Sequence, residues 1–116
     1  MSDRMKRVEA LMLQSIPTII TQKINDERIG FISFTSAEIS RDLSVAKVYY
    51  SQIGTDEQKA ETFKGLCSSA GAIKGYLSKI LQLKRIPNIR FFYDDSLERG
   101  VATVKQIQDL NINDDA

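Results

Sequence analysis

Apolar residues recur along the chain first with a helical period, then with a strand period, then with a helical period again. Val8, Leu11, Met12, Ile16, Ile19 and Ile20 fall on one stripe and predict a helix from Met5 to Ile24. Pro17 lies inside that helix, removes one backbone hydrogen bond and crowds the Leu13 carbonyl, so a kink or a division into two shorter helices is expected. Asn25-Asp26-Glu27-Arg28 and Gly30 close the element. A strand is predicted from Phe31 to Ile39, with Ile32 and Phe34 on the face opposite Phe31 and Ile39. Ser40-Arg41-Asp42 is a polar turn, and Leu43 to Ser51 alternates as a second strand. So short a turn makes the pair an antiparallel hairpin.

Thr55 stands where a helix N-cap is needed, with Asp56 and Glu57 at the positive helix end behind it. From there Ala60, Phe63, Cys67 and Ala70 recur at helical spacing, and Ile73, Leu77, Ile80 and Leu81 do so again. Gly65, Gly71 and Gly75 are all interior to this run, and each glycine costs a helix about 1 kcal/mol relative to alanine. A break at Ser69-Ala70-Gly71 removes part of that cost, and Ser68 or Ser69 can cap the second half. A close helix contact without a bend is the alternative. Pro87 stops the helix, because a residue before proline avoids helical angles. Ile89 to Tyr93 then reads as a third strand. From Ser96 onward Val101, Val104, Ile107 and Leu110 suggest a last helix, and Asn111 to Ala116 form a polar, acidic tail. The candidate core comprises Ile32, Phe34, Val48, Phe63, Leu77, Ile80 and Phe91.

The order is α-β-β-α-(kink)-α-β-α, an α+β chain with a three-stranded mixed sheet and the helices mainly on one face. The 116 residues and 42% apolar content suit one domain with one core. A single domain over residues 1–110 and a tail over 111–116 are expected.

Charge narrows the function. The net charge is only +1, so any binding to nucleic acid must use a local patch. From Ala72 to Tyr93 the ionised residues are Lys74, Lys79, Lys84, Arg85 and Arg90, with no acid among them. That cluster is the candidate phosphate-binding surface, with Arg4, Lys6 and Arg7 of the first helix assisting. A row of solubilising lysines is the plainer explanation of the same charges.

Chemistry finds little support. The chain has no histidine, hence neither the commonest general base nor the commonest metal ligand. Its one cysteine, Cys67, falls on the predicted apolar stripe and reads as a small core residue. A lone cysteine forms no internal disulfide, which suits a reducing compartment. Asp94, Asp95 and Glu98 are explained by turns and caps, with no nucleophile beside them. No phosphate-cradling Gly-Lys-Ser pattern occurs, and Gly71-Ala72-Ile73-Lys74-Gly75 is one residue too long for the Gly-x-x-Gly loop of a KH domain. No catalytic residue, metal site or cofactor is expected. Tyr49, Tyr50, Phe91, Phe92 and Tyr93 offer rings for stacking on bases, although strand aromatics are more often core.

Several separate stretches together resemble one family. INDERIGFISFTSAEISRDLSVAKVYYS follows a basic first helix, and SAGAIKGYLSKILQLKRIPNIRFFYDDSLERG follows in order. From about Arg4 to Gly100 the chain resembles ribosome-binding factor A. The resemblance implies a type II KH-like fold in which a small-x-Gly kink replaces the Gly-x-x-Gly loop, here Ser69, Ala70 and Gly71 with serine in the usual alanine place. Pro17 also departs from the family, and the long basic C-terminal tail of some members is missing. The resemblance implies a non-enzymatic cytoplasmic protein that binds the free small (30S) ribosomal subunit, its precursors and 16S rRNA. It implies a role in late maturation near the 5′ region of that rRNA and in cold adaptation. A monomer with no membrane partner is expected. A small protein-interaction domain without RNA binding is the alternative.

Overall fold

The structure is a computed structural model and describes residues 3–96. Five elements follow one another: α1 (Asp3–Lys23), β1 (Ile32–Ile39), β2 (Val45–Gln52), α2 (Asp56–Ile80) and β3 (Asn88–Tyr93). The expected last helix and acidic tail lie outside the described residues.

The strands form one sheet in the order β1-β2-β3. β1 and β2 are an antiparallel hairpin, and β3 runs parallel to β2. A parallel pair needs a long crossover, which α2 supplies. Ala46, Val48 and Tyr50 of the central strand face Ile89 and Phe91 of β3, Met12, Ile16 and Ile19 of α1, and Leu66, Ile73 and Leu77 of α2 in one buried cluster. Both helices thus cover the same face of an α+β mixed sheet, as the hydrophobic pattern predicts. Phe34, Tyr50, Phe91 and Tyr93 pack as tilted or edge-on rings with centroids 5.6–6.5 Å apart.

Three expectations are corrected. First, β1 carries an irregularity between Phe34 and Ser36, where the register shifts by one residue. Such a bulge reverses the alternation beyond it, so Ile39 joins Ile32 and Phe34 against the core instead of opposing them. Thr35, the extra residue, donates its hydroxyl to Asp94 Oδ2 at 2.8 Å.

Second, α2 is unbroken from Asp56 to Ile80, and Ser69, Ala70 and Gly71 are interior helical residues. No glycine among the described residues has a positive φ. Tertiary burial of one face outweighs the glycine penalties. The buried face is Thr62, Gly65, Leu66, Ser69, Ile73 and Leu77, rotated from the predicted stripe. Phe63 and Ile80 are accordingly exposed (43% and 42%), and Cys67 faces solvent. The close approach belongs to Gly65: a Cβ there would stand 2.7 Å from Ile29 Cγ1, whereas one on Gly71 would meet nothing within 4 Å. The hydroxyl of fully buried Thr62 accepts from Gly30 N at 3.1 Å and donates to the Arg28 carbonyl at 3.3 Å, which lets a polar residue occupy the core side.

Third, α1 is not divided into two helices at Pro17, which is exposed within one helix from Asp3 to Lys23. The N-cap expectation holds in full: Thr55 Oγ1 accepts from Gln58 N at 3.1 Å, and Gln58 Oε1 accepts from Thr55 N at 2.8 Å.

Candidate nucleic-acid interface

Three chain segments far apart in sequence meet at one end of the molecule. The first turns of α1 bring Arg4, Met5 and Val8. The turn between β1 and β2 brings Arg41 and Leu43, and the chain leaving α2 brings Gln82, Leu83, Lys84 and Arg85. They enclose an open groove of about 590 Å³ with an apolar floor, four cationic side chains and no acid in its lining. A cationic rim over an apolar floor suits a phosphate backbone with a sugar or base against the floor.

The turn on this rim is locked. Asp42 Oδ1 accepts from the Ser40 hydroxyl at 2.8 Å, the Ser44 hydroxyl at 2.7 Å and Ser44 N at 3.0 Å. These bonds, the Ser44 hydroxyl foremost and the Ser40 hydroxyl next, pull the Asp42 carboxyl down to about 2. Leu43 is held at φ 63°, a left-handed conformation uncommon for a residue with a side chain. The turn therefore holds its own carboxylate on Ser40 and Ser44, while exposed Arg41 lines the groove with Leu43.

Of the eight cations predicted from sequence, the groove gathers Arg4, Lys84 and Arg85. Lys6 and Arg7 are exposed on the same first turns of α1 but do not line it. Lys74 is half-buried and donates to Asn88 Oδ1 at 2.8 Å, tying α2 to the start of β3. Lys79 lies over the Tyr76 ring, 5.7 Å from its centroid, in the last turn of α2. Arg90 points away from the core, on the outer face of the sheet, in register with Lys47. The acid-free stretch is thus divided among several surfaces. On that outer face Tyr49 packs against Phe92 at 5.6 Å, and Lys47 Nζ stands 5.9 Å from the Phe92 ring. Tyr50 and Phe91, by contrast, are core.

Sequence reasoning missed Arg41. Read along the chain, Asp42 offsets it; in the fold the ionised Asp42 is bonded to Ser40 and Ser44 and does not line the groove, whereas Arg41 does. Among the described residues no group of three or more His, Cys, Asp or Glu is placed to hold a metal ion. No helix among them is long and apolar enough to cross a membrane.

The family model for ribosome-binding factor A matches residues 4–107. The chain belongs to the ribosome-binding factor A family. It is 41% identical to the ribosome-binding factor A of Staphylococcus saprophyticus over 98% of this chain and 100% of that one. Its fold is similar to the solution structure of a candidate ribosome-binding factor A from Thermotoga maritima, with a TM-score of 0.69 and 30% identity over 78% of this chain and 86% of that one. It is also similar to the Thermus thermophilus ribosome-binding factor A as fitted into a cryo-EM map of a 30S complex, with a TM-score of 0.62 and 20% identity over 77% and 93% of the two chains. Membership of this family agrees with a KH-like α+β fold. Ser69-Ala70-Gly71, where the resemblance implied a kink, lies within an uninterrupted helix.

Proposed function

We propose that this protein binds the free small ribosomal subunit and its precursors through 16S rRNA, as a monomeric, non-catalytic cytoplasmic factor in late subunit maturation near the 5′ region of that rRNA. A role in adaptation to cold belongs to the same reading. The whole of residues 1–110 serves as one KH-like binding domain, with 111–116 as a polar tail.

The observation that carries it is the groove in which Arg4, Arg41, Lys84 and Arg85 converge without an acid. Its cations come from three segments, so only the folded chain presents them together. Lys6 and Arg7 extend the positive field along α1, while Lys74, Lys79 and Arg90 contribute from beside the groove. The fitted 30S complex of the Thermus thermophilus relative supports the choice of partner.

The test is co-sedimentation with small subunits across a salt series, with wild type and the Lys84→Glu/Arg85→Glu variant. The variant should keep its circular dichroism and melting temperature, because exposed charges contribute little to stability. Its affinity should fall, and its salt dependence should become shallower by roughly 0.7–0.9 for each phosphate that it no longer neutralises. A folded variant that binds like wild type at low salt would remove the groove from the interface.

A further inference from the structure

The opposite end of the molecule carries the opposite chemistry. β2 begins beside the basic groove and ends at Gln52, so the two ends lie roughly 25 Å apart for eight residues of strand. There Glu27, Arg28, Gly30, Phe31, Gln52, Ile53, Glu57 and Glu61 line an open cleft of about 880 Å³. Phe31 and Ile53 flank the Ile32–Gln52 pair, just outside β1 and β2, and both are 94% exposed. Isolated exposed apolar residues are ordinary. Two large ones side by side at the mouth of one cleft are a contact surface in miniature.

The floor is unusual too. Gln52 is only 7% exposed, and its buried Oε1 has no hydrogen-bond partner among the described residues. A buried acceptor left unpaired is costly, and a donor arriving from a partner relieves that cost. Gly30 leaves the room this amide needs, since a Cβ there would stand 2.7 Å from Gln52 Nε2.

The electrostatics select the kind of partner. Arg28 is the one cation of the lining, and its guanidinium is held by Asp26 at 2.7 Å. Glu61 pairs with Lys64 at 3.2 Å, while Glu27 and Glu57 are exposed with no ion pair among the described residues. The positive end of α2 offsets part of this charge but leaves the rim acidic. An acidic rim repels a phosphate backbone and attracts lysine and arginine. Proteins held on a polyanion carry such basic segments.

We propose that this cleft is a second docking site, separate from the basic groove, that takes a basic protein segment with an apolar side chain placed against Phe31 and Ile53 and a donor placed toward Gln52. The site rests on the small-subunit reading for its setting: the groove holds rRNA, and the cleft holds a basic protein of the same particle. One molecule then bridges RNA and protein across its length.

The test compares two probes, intact small subunits and protein-free 16S rRNA, against the full chain and two variants, Phe31→Ser/Ile53→Ser and Glu27→Lys/Glu57→Lys. Both variants alter exposed side chains; Phe31→Ser/Ile53→Ser should keep the native melt, and Glu27→Lys/Glu57→Lys should stay folded with a slightly lower melt, because Glu57 sits in the first turn of α2. Each should bind intact subunits at least about tenfold more weakly than wild type while binding the bare rRNA no more weakly. Wild-type affinity of both variants for intact subunits would overturn the site, and so would an equal loss on bare rRNA, which would make the cleft an RNA contact. Concentration-dependent self-association that the Phe31→Ser/Ile53→Ser variant abolishes would assign the surface to a second copy instead. Slow maleimide labelling of Ile53→Cys in a Cys67→Ser background of the free protein would mean that the chain covers the surface itself, which also overturns it. Failure of wild type to bind either probe would refute the ribosomal reading itself, and the docking site with it.

Discussion

Replacing Gly71 with alanine should stabilise the protein, and replacing Gly65 with alanine should not. Both residues are interior to the unbroken α2, so each substitution gains the same helix propensity, about 1 kcal/mol. What differs is the space. Around Gly71 an added Cβ meets nothing within 4 Å, and the gain is kept. Around Gly65 the added Cβ would lie 2.7 Å from Ile29 Cγ1 and 3.4 Å from both Arg28 Cβ and Asp26 Cγ. Ile29 is packed on the core and Asp26 is clamped to Arg28, so the loop must shift as a unit. Overpacking of this kind costs about 1–3 kcal/mol, which cancels or exceeds the propensity gain. The two variants should therefore differ by about 1–3 kcal/mol, equal to a separation in melting temperature of at least about 4 °C for a domain of this size. Urea denaturation followed by circular dichroism measures this directly. The same pair judges the helix geometry. A Gly71→Ala protein less stable than wild type would mean that Gly71 adopts a backbone closed to alanine, and that α2 is broken where the family's kink is expected.

Three further outcomes follow from buried groups and from the groove. Thr62→Val keeps the shape but leaves Gly30 N–H and the Arg28 carbonyl without their partner, and should cost about 1–3 kcal/mol in urea denaturation; a change within about 0.5 kcal/mol would show that both groups find water. Burial pushes the Tyr50 hydroxyl up to about 12. The unfolded chain then ionises first, so stability should be level to about pH 10 and fall above it, and Tyr50→Phe should make that alkaline fall shallower; an identical slope in the variant would place Tyr50 in contact with solvent. Arg41 lies outside the acid-free stretch, yet Arg41→Glu should weaken small-subunit binding as Lys84→Glu does, and normal binding by a folded Arg41→Glu protein would confine the RNA contact to the chain after α2.

The elements were legible because their signals were local. The Thr55 cap and the hairpin of alternating residues each act within a few residues, whereas α2 ends at Ile80, seven residues short of the proline expected to stop it. The phase of α2 was not legible. Its core face includes Thr62, Ser69 and Gly65, which no hydrophobic pattern marks, and its outer face carries Phe63, Cys67 and Ile80, which every such pattern marks. Thr62 is inside because the loop before β1 supplies both a donor and an acceptor to it, and Gly65 is inside because that loop presses on it. Both reasons lie more than thirty residues away in sequence. The bulge at Thr35 escaped for the same cause: its hydroxyl is answered by Asp94, fifty-nine residues along.

The candidate site shows how chain order and net charge mislead together. Counted in sequence, Lys74 to Arg90 is the one basic stretch, yet Arg90 and Lys74 are turned to other surfaces, and Arg4 and Arg41 are brought in from elsewhere. The acids are sorted in the same way. Asp42 is bonded within its own turn and does not line the groove, while Glu27, Glu57 and Glu61 gather at the far end of β2. A net charge near zero therefore conceals two unlike ends of β2 in one flat sheet-and-helix body of 43 × 37 × 20 Å. Near a large polyanion such a molecule feels a torque as well as an attraction: the groove end is drawn in and the cleft end is pushed out. That orientation acts before any contact forms and weakens as salt shortens the Debye length to about 8 Å, well below the separation of the two ends. Encounter should therefore be steered by the polarity of the whole fold, and affinity by the few cations that the groove holds against the phosphates.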